Sequence, residues 1–142
     1  MSINTVLQQL QSLRLMGMAL GVEQQLHQSS YADLPFEERL SMLVDAEANY
    51  RDNARYQRLI KNAKLKVNAN PEDIDYRSGR GLDRSLVGSL LGCDWIKRQQ
   101  NLLITGKTGT GKTWLGCALA VMAARKGHTV LYKRVPRMLE DM

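Results

Sequence analysis

The sequence has little of what membrane-spanning and secreted proteins need. None of its apolar runs approaches the ~20 residues of a membrane span. The first residues, MSINTVLQQLQSLRL, lack the charged start and the apolar stretch of a signal peptide. We therefore expect a cytoplasmic protein with no membrane partner.

Cysteine and histidine are limited to two residues each. Cys93 and Cys117 have unrelated surroundings, so they form neither a disulfide framework nor the spacing of a metal site. His27 and His128 have no plausible metal or triad partner in the sequence. Both thiols are predicted to be free cysteines in the core.

Positive charge is present in excess and is unevenly distributed. The formal net charge is +6, yet residues 33–47 are rich in acids, and the excess of cations lies in residues 51–66. Five cations there recur three or four positions apart: Arg51, Arg55, Arg58, Lys61 and Lys64. On a helix this spacing forms one stripe, which can neutralise nucleic-acid phosphates. The alternative is a solvated helix face that pairs with the acidic helix before it.

Helical patterns extend through the first 66 residues. Apolar residues three and four positions apart share one face of a first helix: Val6, Leu7, Leu10 and Leu13. Ser2 or Asn4 can cap that helix. Gly17 and Gly21 loosen the pattern, so a second short helix is predicted over residues 23–28. A longer helix, or two in succession, is predicted from residues 33–35 to about residue 66, because Asp and Pro suit a helix start.

Turn-forming residues separate this helical region from the rest of the chain. Asn, Pro, Ser and Gly interrupt residues 67–81, which we assign as a linker. The predicted domains are therefore a helical N-terminal domain over residues 1–66 and a second domain over residues 82–142. In the second, Asp83 is predicted to cap a helix that continues to Leu91.

The second domain has the pattern of a βαβ unit. Residues 101–105 are apolar and end at a glycine, which is typical of a buried parallel strand. Residues 113–126 are rich in Ala and Leu and predict a helix, and residues 128–133, HTVLYK, predict a second strand. The expected fold class is α/β, with a helical N-terminal domain followed by the start of a parallel sheet with flanking helices.

A glycine-rich loop lies between the first predicted strand and its helix. The stretch LLITGKTGTGKTWLG, residues 102–116, contains a complete G-x-x-x-x-G-K-[ST] pattern. Its members are Gly106, Lys107, Thr108, Gly109, Thr110, Gly111, Lys112 and Thr113. Glycines let main-chain amides wrap around nucleotide phosphates at a helix N-terminus. Chance alone would produce the pattern in about one chain of this length in two hundred.

The chemistry of this loop assigns roles to two of its side chains. Lys112 is predicted to place its ammonium against the β- and γ-phosphates of ATP, and Thr113 to ligate Mg²⁺. These two residues are the candidate catalytic residues. The alternative is a glycine-rich turn that binds nothing. Trp114, next in the chain, is assigned to the core rather than to nucleotide contact.

Hydrolysis of ATP needs a further carboxylate near the end of a second strand. After Thr113 the sequence offers only Glu140 and Asp141, and these do not follow a strand-like apolar run. We therefore expect a C-terminally truncated chain that binds ATP and Mg²⁺ without efficient hydrolysis.

Three segments together resemble the IstB-like ATP-binding proteins. They are LQSLRLMGMA, LPFEERLSMLVDAEANYRDNARYQRLIKNAKL, and the run from GLDRSLVGSLLGCDWIKRQQN through the glycine loop. These proteins are helper ATPases of insertion-sequence transposition in the AAA+ class and are related to DnaC-type helicase loaders. The resemblance implies a helical N-terminal domain, an AAA+ P-loop NTPase domain and homo-oligomers on double-stranded DNA, with a transposase as partner. It also makes the basic segment a better candidate for DNA contact.

Three other functions remain possible on the sequence. A DnaC-type loader would capture a replicative helicase through its N-terminal segment. A small-molecule or nucleotide kinase would use the same loop, but the long helical region before the loop argues against it. A DNA-binding fragment with an inert ATP site is the third alternative.

Overall fold

The structure is a computed structural model that describes residues 2–76, 81–107 and 109–140. The described chain consists of α-helices, two short 3-10 turns and irregular segments. It forms two compact units, Met1–Arg55 and Tyr56–Met142. Among the described residues, no helix combines the length and the apolar character that crossing a membrane requires.

The first unit contains α1 (Ile3–Ser12), α2 (Met16–His27), a 3-10 turn (Ser29–Asp33) and the first part of α3 (Phe36–Ala63). The Ser2 hydroxyl accepts a hydrogen bond from the Thr5 amide at 3.3 Å, which confirms the predicted cap of α1. The sequence left open whether one helix or two follows the turn. The structure has a single helix, α3, of 28 residues.

The prediction that Gly17 and Gly21 loosen the helical pattern is wrong, because α2 begins at Met16 and includes both glycines. A Cβ added to Gly17 would lie 2.5 Å from the Ala46 carbonyl oxygen and 2.6 Å from the Tyr50 Cβ. The missing side chain therefore lets α2 lie directly against α3. Close packing, rather than a break in the helix, explains this glycine.

A buried carboxylate joins the same two helices. Glu47 of α3 is 7% exposed. Its Oε1 accepts a hydrogen bond from the Met18 amide at 3.0 Å, and its Oε2 accepts one from Arg51 Nε at 2.7 Å. Met18 lies in the first turn of α2, whose amides have no partner within the helix and favour a negative charge. The bond from Met18 is the main reason that the pKa of Glu47 is lowered.

We expect acid to weaken the first unit through Glu47. Because the pKa of Glu47 is lower in the folded chain than its ordinary value of 4.5, its stabilising contribution is complete above that pH. It is lost as the pH falls through the folded pKa. Glu47→Gln should be less stable than the wild type at pH 7, and its melting temperature should fall less between pH 7 and pH ~3. Thermal unfolding followed by circular dichroism checks this.

Asp45→Asn is the matched control for Glu47→Gln, since Asp45 is an exposed carboxylate two residues away on the same helix. It should keep the acid sensitivity of the wild type. If Glu47→Gln lost as many degrees on acidification as Asp45→Asn, Glu47 would not be the group responsible.

The second unit contains the end of α3, a 3-10 turn (Pro71–Asp73), α4 (Arg84–Leu91), α5 (Asp94–Lys97), α6 (Lys112–Arg125) and α7 (Val135–Glu140). The predicted cap of α4 is confirmed, because Asp83 Oδ1 accepts a hydrogen bond from the Ser85 amide at 3.0 Å. Helix α6 is the most buried element among those described, and Cys117 and Ala118 on it pack against Ala69. Both cysteines are buried and free, as predicted.

The predicted parallel sheet is wrong for this chain. Among residues 2–76, 81–107 and 109–140 no strand is formed, and the fold is predominantly helical. A strand needs a neighbour that accepts and donates its backbone hydrogen bonds. In the second expected strand, the Tyr132 amide donates instead to the Ala63 carbonyl at the end of α3, at 2.8 Å. In the first, Leu103 is 88% exposed, so burial on both faces is not achieved either.

Candidate nucleotide-phosphate site

Two glycines of the loop before α6 have backbone angles that only glycine adopts easily. Gly109 and Gly111 have φ angles of +83° and +91°, in the left-handed region. Gly111 is also the N-cap of α6. The predicted site residue Thr108 lies outside the described residues. The other predicted loop residues are described, and the structure brings them together at one end of α6.

The first glycine of the loop, Gly106, allows close packing within it. A Cβ at this position would lie 3.2 Å from Thr110 Oγ1 and 3.6 Å from Lys112 Cδ. The Thr110 hydroxyl donates a hydrogen bond to the Lys107 carbonyl at 2.7 Å. This hydrogen bond holds Thr110 close to Lys107.

Positive charge and the amides of the first helical turn lie together at this end of α6. The Lys112 ammonium donates a hydrogen bond to the Gly106 carbonyl across the loop. The first hydrogen bond at the start of the helix runs from the Leu115 amide to the Gly111 carbonyl at 2.9 Å, so the amides of the preceding turn are available to a ligand. The helix dipole adds partial positive charge at the same place. This arrangement favours an anion such as a phosphate group.

A cavity of about 310 Å³ opens beside the loop. Gly106, Thr110 and Lys112 line one part of it. Further residues line it, and we call five of them the apolar wall: Ile74, Asp75, Leu82, Trp114 and Leu115. The volume lies at the lower end of the range of about 300–1,000 Å³ for small-ligand sites. The lining therefore combines polar groups that suit phosphates with apolar side chains that suit a larger, flatter group.

Comparison with protein families gives a match over most of the chain. The family model described as IstB-like ATP binding protein matches residues 8–142. The chain belongs to the IstB-like ATP-binding protein family. The resemblance found in the sequence is thereby confirmed.

Similar IstB-like proteins occur in several bacteria. The chain is 49% identical over 137 residues to a Pseudomonas fluorescens protein named as an ATP-binding protein of insertion sequence IS1162, covering 96% of this chain and 59% of that protein. It is 39% identical over 142 residues to the Sinorhizobium fredii insertion-sequence ATP-binding protein y4pL, covering 100% of this chain and 58% of that protein. The chain thus spans somewhat over half the length of these relatives.

The basic segment of this IstB-like chain is divided between the two units. Arg51 and Arg55 belong to the first unit and have carboxylate partners, Glu47 at 2.7 Å and Asp52 at 3.7 Å. The remaining cations are exposed and belong to the second unit: Arg58, Lys61 and Lys64. Lys64 follows the last residue of α3 and has a φ angle of +54°, so it lies beyond the regular helical stripe.

Sequence reasoning missed the apolar wall of the site in this IstB-like chain. Ile74 and Asp75 lie in the segment that was assigned as a linker, about thirty residues before the loop. Trp114 packs against the cluster of Ala69, Cys117 and Ala118, as predicted, yet it also lines the cavity. No periodic pattern marks Ile74 and Asp75, because they follow a 3-10 turn of only three residues.

Proposed function

We propose that the chain binds ATP through the Gly106–Thr113 loop, as part of a helper protein of insertion-sequence transposition. The observation that carries the proposal is that Gly106, Gly111, Lys112 and the first turn of α6 line one cavity. The names of the relatives support the choice of ATP.

In this proposal the triphosphate replaces contacts that the loop makes to itself. Phosphate oxygens accept hydrogen bonds from the loop amides and from the first turn of α6. Lys112 exchanges the Gly106 carbonyl for an oxygen of the β- or γ-phosphate. Thr113 is exposed at the same helix end, and its hydroxyl would help to hold Mg²⁺, which would neutralise phosphate charge. The base and ribose then lie along the wall that contains Ile74 and Trp114.

Titration of the wild-type chain tests this proposal directly. ATP with Mg²⁺ should bind saturably at one site per chain, and inorganic tripolyphosphate should compete with it. Isothermal titration calorimetry gives both affinities. If neither ligand bound saturably, the loop would be a turn without a ligand and the proposal would fail.

We also propose double-stranded DNA as a partner, with a transposase and further copies of the chain as partners of the longer family proteins. For DNA, the exposed cations Arg58 and Lys61 are the residues to examine. They lie three positions apart on α3, the spacing at which helix side chains are neighbours. Arg51 is a poor choice for a test, because it also holds the buried Glu47.

Neutralising Arg58 and Lys61 together should weaken DNA binding in a salt-dependent way. The Arg58→Gln/Lys61→Gln variant should reduce the slope of log Kd against log salt by about 2, since each lost phosphate contact removes about one unit. Fluorescence anisotropy with a labelled duplex over a series of salt concentrations measures the slope.

The matched control for this pair is Lys97→Gln/Arg98→Gln, which removes the same charge from exposed residues outside the basic segment. It should leave the slope close to that of the wild type. An equal loss of slope in both double variants would mean that net charge, and not the basic segment, attracts DNA.

A further inference from the structure

An ion pair holds the wall of the cavity to the far end of α6. Arg125, the last residue of α6, donates two hydrogen bonds to the Glu72 carboxylate, Nη1 to Oε1 and Nη2 to Oε2, the second at 3.3 Å. The two residues are 53 positions apart in the sequence. Both bonds of the guanidinium thus go to one carboxylate.

The segment that carries Glu72 is short and is buried on both sides of its turn. Glu72 lies in the 3-10 turn Pro71–Asp73, which is closed by the hydrogen bond from the Ile74 amide to the Pro71 carbonyl at 3.3 Å. Ala69, before the turn, is fully buried against α6, and Ile74, after it, is 8% exposed. Glu72 therefore lies two residues before Ile74 and three before Asp75, in a segment that packs against the rest of the second unit.

The residues of α6 that contact this segment lie on one face of the helix. Trp114, Ala118 and Arg125 are spaced by four and seven residues, so they line one side of the helix. Ala118 packs against Ala69, Arg125 holds Glu72, and Trp114 lines the cavity together with Ile74. The loop starts this same helix, so α6 fixes both the phosphate end and the apolar wall of the cavity.

The ion pair is expected to contribute little to the stability of the fold. The side chains of Arg125 and Glu72 are 35% and 61% exposed, and exposed pairs contribute little to the stability of a fold. A bidentate pair of Arg and carboxylate does, however, define a distance and a direction. Such a contact is suited to positioning.

We propose that the Glu72–Arg125 pair positions Ile74 and Asp75 for the nucleoside part of a bound nucleotide. The proposal rests on the proposed function, in which the loop binds the phosphates. The phosphates contact the loop and α6 directly and do not need the pair. The base and ribose contact the wall, and the pair sets the distance between that wall and the loop. Glu72 and Arg125 are positioning residues and do not touch the ligand.

A comparison of ATP with inorganic tripolyphosphate separates these two parts of the site. Glu72→Gln and Arg125→Gln should each weaken ATP binding by about three- to tenfold, the usual size of an effect transmitted through one contact. Each should leave the affinity for tripolyphosphate within about twofold of the wild type. The charge swap Glu72→Arg/Arg125→Glu should recover most of the lost ATP affinity. Calorimetry with Mg²⁺ provides the values, and circular dichroism verifies folding.

Neighbouring residues provide matched controls. Asp73→Asn removes the same charge from the same turn, and Lys126→Gln removes the same charge beside Arg125, and both residues are exposed. Neither should change the ratio of the two affinities.

Three results would overturn the proposal. The first is an equal loss of ATP and tripolyphosphate affinity in Glu72→Gln, which indicates a general loss of structure. The second is unchanged ATP affinity in both single variants. The third is a wild type that binds tripolyphosphate as tightly as ATP, which removes the nucleoside contact while the phosphate site stands. A wild type that binds neither ligand refutes the proposed function itself, and the positioning role with it.

Discussion

Replacing Lys112 with Ala should weaken ATP binding by about ten- to a hundredfold. The ammonium already lies over the loop, where it donates to the Gly106 carbonyl. A phosphate oxygen that takes the place of this carbonyl gains a charge-assisted hydrogen bond. Such bonds contribute about 1.5–3 kcal/mol, and each 1.4 kcal/mol is a factor of ten in affinity. Calorimetric titration with ATP and Mg²⁺ measures the change.

The control for Lys112→Ala is Lys126→Ala, at the opposite end of α6. Lys126 is exposed and its removal changes the net charge equally. Its ATP affinity should stay within about twofold of the wild type. Tripolyphosphate affinity should fall in Lys112→Ala as steeply as ATP affinity, because the contact is to phosphate. Equal binding of ATP by the two variants would contradict the assignment of this loop as the phosphate-binding site.

Adding one methyl group at Gly17 should have the largest effect on stability. In Gly17→Ala the new Cβ would meet the Ala46 carbonyl oxygen at 2.5 Å and the Glu47 Cα at 2.8 Å. These are backbone atoms, so no side-chain rotation relieves the contact. Forced overpacking of this kind costs about 1–3 kcal/mol. Moving α2 away would also lengthen the hydrogen bond from the Met18 amide to Glu47, so the upper part of that range is expected.

Alanine substitutions at two other glycines should have smaller or opposite effects on stability. A Cβ on Gly21 would meet the flexible Leu43 Cδ2 at 2.9 Å, so Gly21→Ala should cost less. A Cβ on Gly88, in α4, would meet nothing within 4 Å, and Gly88→Ala should stabilise its helix by about 0.5–1 kcal/mol. Chemical denaturation followed by circular dichroism ranks the three variants. A Gly17→Ala chain as stable as the wild type would contradict the close approach of α2 to α3.

The caps and the loop conformation could be predicted because they depend on neighbouring residues. Ser2 and Asp83 bond to amides two or three residues away, so composition and order suffice to find them. The glycines at positions 109 and 111 adopt the backbone angles that the loop pattern requires. The binding roles of the loop residues, and of the basic residues on α3, remain predictions.

The sheet could not be judged from its two apolar segments. An apolar run shows only that a segment is suited to burial, whereas a strand also needs a neighbouring strand. Here the Tyr132 amide meets the end of α3, and the first segment leaves Leu103 exposed. The prediction that Gly17 loosens the helical pattern was wrong for a related reason. The role of this glycine depends on Ala46, which is 29 residues away.

The sequence by itself determined the helical first half, its caps, the free cysteines, the glycine-rich loop and the family. All of these depend on residues close together in the chain or on the order of whole segments. Only the tertiary structure decided that α2 continues through its glycines, that no sheet forms among the described residues, and that Glu72 holds the cavity wall to Arg125. These features depend on contacts between residues far apart in the chain. A local sequence pattern does not show which distant residues a segment will contact.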